Sequence, residues 1–387
     1  MNGGVKRNRQ LLYINRITRI NRNIRRKGKS HGFSFFFAEK ISTTMLDKYI
    51  KRNSSVELLR LLSIWMIVVY HLSMHSFGEL PSHSTFWDAV TNIFHIGVIC
   101  FVLISGYFGI KASIYGALKL VVMCLFYSLL IMISKVLVLD FPITPSLLYV
   151  SVTPLMHEEW WFITSYVILY ALSHFLNKLW QISTDKERKI LITLLFGIMA
   201  YFGWIGNIST IHGGRDIITF TFLYFLGKLI ASPSFRLPNY LKMNCLYVVI
   251  SVIIIVAAML PQSLHAAHRI IRFVCFGYNS PGLILMGVSV FCFFVQLPMF
   301  QNKWINYVSA SVLPVYLLHE NSFTYPLMKS LVFLEGNNKL FIFFGYILLS
   351  FLIVATCIII DKLLCHIYTP ISYQLSGILR KLPNVIK

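Results

Sequence analysis

Long apolar runs separated by short polar loops, most of them basic, dominate the chain. A hydrocarbon core of about 30 Å asks for roughly 20 apolar residues per helix. About ten runs approach that length, near residues 56–75, 92–110, 117–139, 160–177, 190–206, 216–231, 245–260, 273–296, 306–328 and 340–361. The ninth contains Pro314 and Pro326 and is a candidate to break into two pieces. No soluble domain and no internal repeat interrupts the series.

Composition agrees with this pattern. Of the 387 residues, 57% are hydrophobic and 13% charged, about half the ~25% charge of a soluble domain. Mean hydropathy is +0.69. A secreted disulfide scaffold, a soluble nucleotide-binding enzyme and a disordered regulator are all excluded. The expected fold class is all-α: a polytopic transmembrane helical bundle of about ten spans with both termini cytoplasmic.

Charge supplies the orientation. Placing the N-terminus inside puts Lys111, Lys119, Lys178, Lys186, Arg188, Lys189, Arg236, Lys242, Lys303, Lys362, Arg380, Lys381 and Lys387 on the cytoplasmic side. The outer loops then keep only Arg215, Arg269, Arg272, Lys329 and Lys339, together with Glu79, Asp88, Asp140, Glu158 and Glu159. This is the positive-inside bias of membrane proteins. The net charge of +21 is swollen by a front segment holding Lys6, Arg7, Arg9, Arg16, Arg19, Arg22, Arg25, Arg26, Lys27 and Lys29. Residues 1–49 read as a disordered basic tail that touches anionic lipid. Nucleic acid is the lesser reading, because no nucleic-acid module follows. Met45 offers an alternative start for the chain. Residues 50–370 form the membrane domain and 371–387 a cytoplasmic tail. The seven cysteines are scattered through apolar runs without CxxC or Cys–His spacing, so they read as buried small hydrophobes, and no metal site is expected.

Ionisable residues inside spans cost about 2.5–3.5 kcal/mol each on insertion scales and so need a reason. The first span reads SVELLRLLSIWMIVVYHLSMHSF. Arg60 and His71 are eleven residues apart, which returns to within roughly 20° of the same helix face, about 16 Å along the axis. They cannot touch, but one elongated ligand could touch both. Glu57 lies one turn before Arg60 and can pair with it. Alone, Arg60 would read as a snorkelling interfacial residue and His71 as a partly wet histidine. In the ninth span, His319-Glu320-Asn321 places a carboxylate near mid-membrane, where it needs a partner or a wet cavity; Glu320 with His71 or Arg60 is one solution. HEEWW (157–161) brings His157, Glu158 and Glu159 beside Trp160 and Trp161. These tryptophans suit an interfacial belt, and stacking on a sugar is the sharper reading of Trp161. Gly97, Ser105, Gly106 and Gly109 permit close helix packing in the second span. His95, at that span's outer end, has no evident partner.

Taken in order, SSVELLRLLSIWMIVVYH, FVLISGYFGIK (101–111), WWFITSYVILYALSHFLN (160–177), FLYFLGKLI (222–230) and VYLLHEN (315–321) resemble the integral-membrane acyltransferase type 3 family, bacterial O-acyltransferases that decorate surface polysaccharides. The resemblance covers roughly residues 50–370. It implies transfer of an acyl group, usually acetyl, from cytoplasmic acyl-CoA to a glycan hydroxyl, in the bacterial cytoplasmic membrane. It also implies that Arg60 and His71 are required. Where the family often has two arginines after the second span, this chain offers Lys111 and Lys119, point charges without the bidentate fork.

The expected mechanism places Arg60, Lys111 and Lys119 on the donor's phosphates and His71 as general base, with Glu320 orienting it. His319 and Trp161 complete the substrate-binding candidates. Acetyl-CoA enters as a co-substrate; no bound cofactor is expected. The competing reading is a transporter or flippase of a lipid-linked glycan, which would also use intramembrane charge and a proline-broken helix.

Overall fold

The computed structural model describes residues 53–77, 93–157, 160–205, 212–258, 277–329 and 339–381. The basic tail, Glu79, Asp88, Glu158, Glu159, Arg269, Arg272, Cys275 and residues 382–387 lie outside the described residues. Among the described residues the chain is helical, with no strand.

The first span is one unbroken helix, α1 (Ser54–Phe77), and the second is α2 (Ile96–Phe108). There follow α3 (Ile114–Leu139), α4 (Pro145–Val152), α5 (Trp161–Ile182), α6 (Asp185–Ile198), α7 (Ile217–Ala231), α8 (Tyr240–Ala258) and α9 (Pro281–Gln296). Among the described residues, three helical segments are long and apolar enough to cross a membrane, Ser54–His75, Ile114–Leu139 and Phe344–Ile378. Shorter apolar helices are Ile96–Phe108, Ile217–Ala231, Leu241–Ile254 and Pro281–Gln296. Leu137, Phe175, Ile182 and Leu363 stay exposed at 67–74%, which suits a chain whose outer solvent is lipid.

Small residues set the tightest contacts. α2 packs on α1, α7 and α9. A β-carbon on Gly106 would run into the Tyr224 carbonyl of α7, and one on Gly227 into the Leu103 carbonyl of α2. Gly97 likewise lies against the Ser63 carbonyl of α1. Glycine therefore lets these backbones approach, as expected. Gly109 instead ends α2 with a φ of 71°, a conformation that suits glycine. Ser105 turns back to its own helix, donating to the Phe101 carbonyl at 3.0 Å.

The ninth run breaks as its prolines suggest, into α10 (Lys303–Val308), a 3-10 turn over Ser309–Ser311, α11 (Val312–His319) and α12 (Thr324–Lys329). Asn321 organises the break between α11 and α12. Its amide nitrogen donates to the Leu317 and Leu318 carbonyls (3.1 and 2.8 Å), and its oxygen accepts from the Phe323 and Thr324 amides (3.0 and 3.2 Å). One side chain thus caps the end of one helix and the start of the next.

Several expected boundaries move. α4 was not foreseen; Thr144 caps it by accepting from Leu147 N at 3.1 Å and Pro145 begins it, a start signal on a helix far too short to span. The fifth run gives α6, which passes into a π-helical turn over Met199–Ile205. The last helix, α13 (Lys339–Lys381), is 43 residues long and contains Pro370. It carries residues 371–381 of the expected C-terminal tail in helix. Cysteines 100, 124, 292 and 357 are buried, whereas Cys245 is exposed, contrary to the uniform burial expected.

Candidate active site

α1 and the broken segment α10–α12 run parallel, in register along a stripe of polar contacts. At one end the Ser54 hydroxyl donates to Asn306 Oδ1 (2.9 Å), and Ser309 donates to Glu57 Oε2 (2.7 Å). At the other, His71 meets His319 and Glu320, and His75 meets Glu320.

The centre of the site is the end of α11. His71, His319 and Glu320 are 4%, 2% and 7% exposed. His71 Nδ1 lies 2.8 Å from Glu320 Oε2 and 3.0 Å from His319 Nε2. His319 Nδ1 lies 2.6 Å from the Val315 carbonyl oxygen. Because that carbonyl can only accept, Nδ1 carries the proton of His319. In the neutral ring Nε2 is then a lone pair aimed at His71. An ionised Glu320 is also only an acceptor. His71 Nδ1–H is therefore the donor to both, and the lone pair of neutral His71 is left on Nε2, the nitrogen able to take a proton from a substrate.

Glu320 is held from several sides. Tyr325 donates to Oε1 at 3.1 Å, and His75 Nε2 approaches Oε2 at 3.2 Å. Trp160, 1% exposed, donates its indole N–H to the Glu320 carbonyl at 2.7 Å. The belt reading of Trp160 is thus overturned: the ring is buried because its one polar atom has a fixed acceptor.

The arrangement could also be read as a metal-ligand set, since one atom from each of His71, His319 and Glu320 lies within 4.8 Å of the others. Yet contacts of 2.8 and 3.0 Å are shorter than the roughly 3.3 Å between tetrahedral ligands that are each 2.0–2.1 Å from zinc. They have the lengths of shared protons.

None of the contacts described for the other predicted residues reaches this cluster. Arg60, on the same unbroken helix as His71, pairs with Glu57 at 3.2 Å, with side-chain exposures of 36% and 10%. Lys111 is exposed just beyond α2, and Lys119 is half-buried in α3. Trp161 is half-buried at the start of α5, its ring 5.1 Å from Tyr278, with the Arg215 guanidinium 5.3 Å from its centroid. His157 bonds Thr153 at 3.0 Å and takes no part in the His71 cluster.

Four participants were missed in the sequence. His75 follows His71 by four residues, a same-face spacing that was legible. Tyr325 lies beyond the break, whose geometry had to be seen. Arg215 was counted only as loop charge. Asp361, 2% exposed on α13, accepts from Tyr127 and Tyr368 (2.7 Å each) and from Ser311 (2.6 Å). An acid inside VATCIIIDKLL was a visible signal that went unused at the end of its run.

The molecule is a helical membrane protein with a buried histidine–carboxylate centre. A model of the acyltransferase domain matches residues 53–362, and the chain belongs to the acyltransferase type 3 family. Neither the curated proteins nor the solved structures give a match. Family membership makes the protein an acyltransferase in general terms.

Proposed function

We propose that the protein is a membrane O-acyltransferase. It moves an acyl group, acetyl in the simplest case, from cytoplasmic acyl-CoA to a hydroxyl of a cell-surface or lipid-linked polysaccharide, and it resides in the bacterial cytoplasmic membrane. The observation that carries this reading is the His71 Nδ1–Glu320 Oε2 contact of 2.8 Å, with His319 fixed as a second acceptor by Val315.

In the reaction, His71 Nε2 removes the proton of the glycan hydroxyl as its oxygen attacks the thioester carbonyl. The resulting imidazolium is stabilised by Glu320, which remains ionised. Collapse of the tetrahedral adduct breaks the C–S bond, and the proton passes from His71 to the departing thiolate, leaving ester and free CoA. A lone buried imidazolium would be costly; the adjacent carboxylate offsets that cost in the step where charge develops. Arg60 engages the anionic part of the donor near the inner face, assisted by Lys111 and Lys119 through simple charge attraction.

Incubation of purified protein in lipid with radiolabelled acetyl-CoA and de-esterified surface glycan tests this reading. Label in the glycan as alkali-labile ester supports it. Translocation of a lipid-linked glycan without acylation would replace it with the transporter.

A further inference from the structure

We infer that His95 is an acceptor-binding residue, gripping a second hydroxyll of the sugar that His71 deprotonates; the inference rests on the acyltransferase reading above. His95 is the residue immediately before α2 and is 5% exposed. Neither ring nitrogen has a hydrogen-bond partner among the described residues, and its side chain does not cap the helix it precedes. Buried polar atoms normally find partners, and leaving one unpaired costs about 1–3 kcal/mol. A residue with neither a capping nor a hydrogen-bonding role among the described residues has two ring nitrogens to offer a ligand.

What surrounds it says what could arrive. Tyr70 stacks nearly parallel on the imidazole, with centroids 4.0 Å apart and planes 16° apart, and Tyr278 lies 3.9 Å away. Tyr70 also reaches His71, at 5.6 Å, so one tyrosine ring neighbours both histidines. From Tyr278 the aromatic series continues to Trp161 (5.1 Å), over which Arg215 rests. A continuous line of rings therefore leads from the exposed Arg215 to the general base. Flat aromatic faces beside polar edges suit the apolar faces and peripheral hydroxyls of a sugar.

The imidazole narrows the ligand class further. Neutral, it presents one donor and one acceptor. A sugar hydroxyl, or two neighbouring ones, offers the complement of both. A phosphate or carboxylate would offer acceptors alone. The ligand is thus a polyhydroxylated ring held by His95 at one hydroxyl while another faces His71 Nε2. His95 would then help to choose which hydroxyl is acylated.

The test compares wild type with His95→Phe, which keeps a stackable ring and removes both nitrogens, and with His95→Gln, which restores one donor and one acceptor. The acceptor probe is alkali-deacylated surface glycan from cells lacking the protein, with acetyl-CoA as donor. The Phe variant should raise the glycan KM by about tenfold or more, the equivalent of one lost buried hydrogen bond, while the acetyl-CoA KM stays within about twofold. The Gln variant should recover part of the loss. An unchanged glycan KM, as expected if a water merely occupies the site, overturns the inference. So does an equal rise in both KM values.

Direct glycan binding to the solubilised protein separates this failure from failure of the parent reading. Weaker binding by the Phe variant sustains His95 even where no acyl transfer occurs. Absence of binding by the wild type overturns it.

Discussion

His71 and His319 share a proton across 3.0 Å, and the direction of that sharing is fixed by a third atom, the Val315 carbonyl oxygen 2.6 Å behind His319. A backbone acceptor one helical turn away thereby decides which nitrogen of His71 carries the proton and which keeps the lone pair. The proposed base is on α1, but its tautomer is set by the last turn of α11.

The first consequence concerns Glu320. In Glu320→Gln the side chain keeps its size and loses its charge, so the His71 imidazolium has no counter-charge. Acyl transfer should fall by about 10²–10⁴-fold in kcat, the range of general acid–base contributions, with the acetyl-CoA KM little changed. His71→Ala should remove transfer altogether at an undiminished membrane level. Retained glycan acylation in the His71 variant, scored by release of alkali-labile acetate, would sink the mechanism.

Tyr325 acts on the same carboxylate with less leverage. It supplies one hydroxyl, at 3.1 Å, to Oε1, the oxygen opposite the one His71 uses. Tyr325→Phe removes one hydrogen bond to a charged group, worth roughly 1.5–3 kcal/mol when buried. The expected outcome is a fall in kcat of about tenfold, clearly smaller than that of Glu320→Gln. A loss as large as the carboxylate's own would show that the hydroxyl does more than hold Glu320, and steady-state kinetics on both variants decides.

Arg60 should act on the donor. It is half-exposed while its partner Glu57 is tied down by Ser309 at 2.7 Å, so Arg60 can release the pair to bind phosphate without leaving Glu57 unpartnered. Arg60→Ala is expected to raise the acyl-CoA KM by about tenfold or more and to flatten its dependence on salt, since a partly exposed charge contact is screened. A change confined to the glycan KM would assign Arg60 to the acceptor instead.

These residues were legible in the sequence to different degrees. Arg60, His71 and Glu320 stood out because charge inside an apolar run needs a reason, and a helical repeat aligned the first two. Pro314 and Pro326 announced the break in the ninth run. The tautomer of His71 was invisible, because it depends on the Val315 carbonyl, and backbone carbonyls carry no sequence signal. Tyr325 and Trp160 were hidden for a related reason: they reach Glu320 only after the chain turns at Asn321. His95 looked partnerless in sequence, and among the described residues its ring nitrogens have no hydrogen-bond partner, although Tyr70 and Tyr278 pack against its ring.

Chelation separates proton sharing from metal ligation at the His71–His319–Glu320 cluster. With contacts of 2.8 and 3.0 Å, the atoms are arranged to share protons. Transfer activity should therefore survive prolonged EDTA or phenanthroline treatment with less than about a twofold loss, and metal analysis of the purified protein should find no stoichiometric zinc. Loss of activity on chelation, restored by zinc alone, would convert the cluster into a metal site and displace His71 as base.

Asp361 should matter to stability before it matters to chemistry. Its two oxygens take hydroxyls from Tyr127 on α3, from Tyr368 on its own helix and from Ser311 at the start of α11. It thereby ties the last helix to the segment that ends in His319. Asp361→Ala strands three buried hydroxyls, and at roughly 1–3 kcal/mol for each unsatisfied group the melting temperature in detergent should drop sharply. Asp361→Asn keeps one oxygen for the tyrosines and turns an amide toward Ser311, whose hydroxyl can accept, so its loss should be the smaller of the two. The comparison is read by thermal unfolding of the two variants. Equal destabilisation would mean that the charge, and not the geometry of three bonds, is what holds α3, α11 and α13 together.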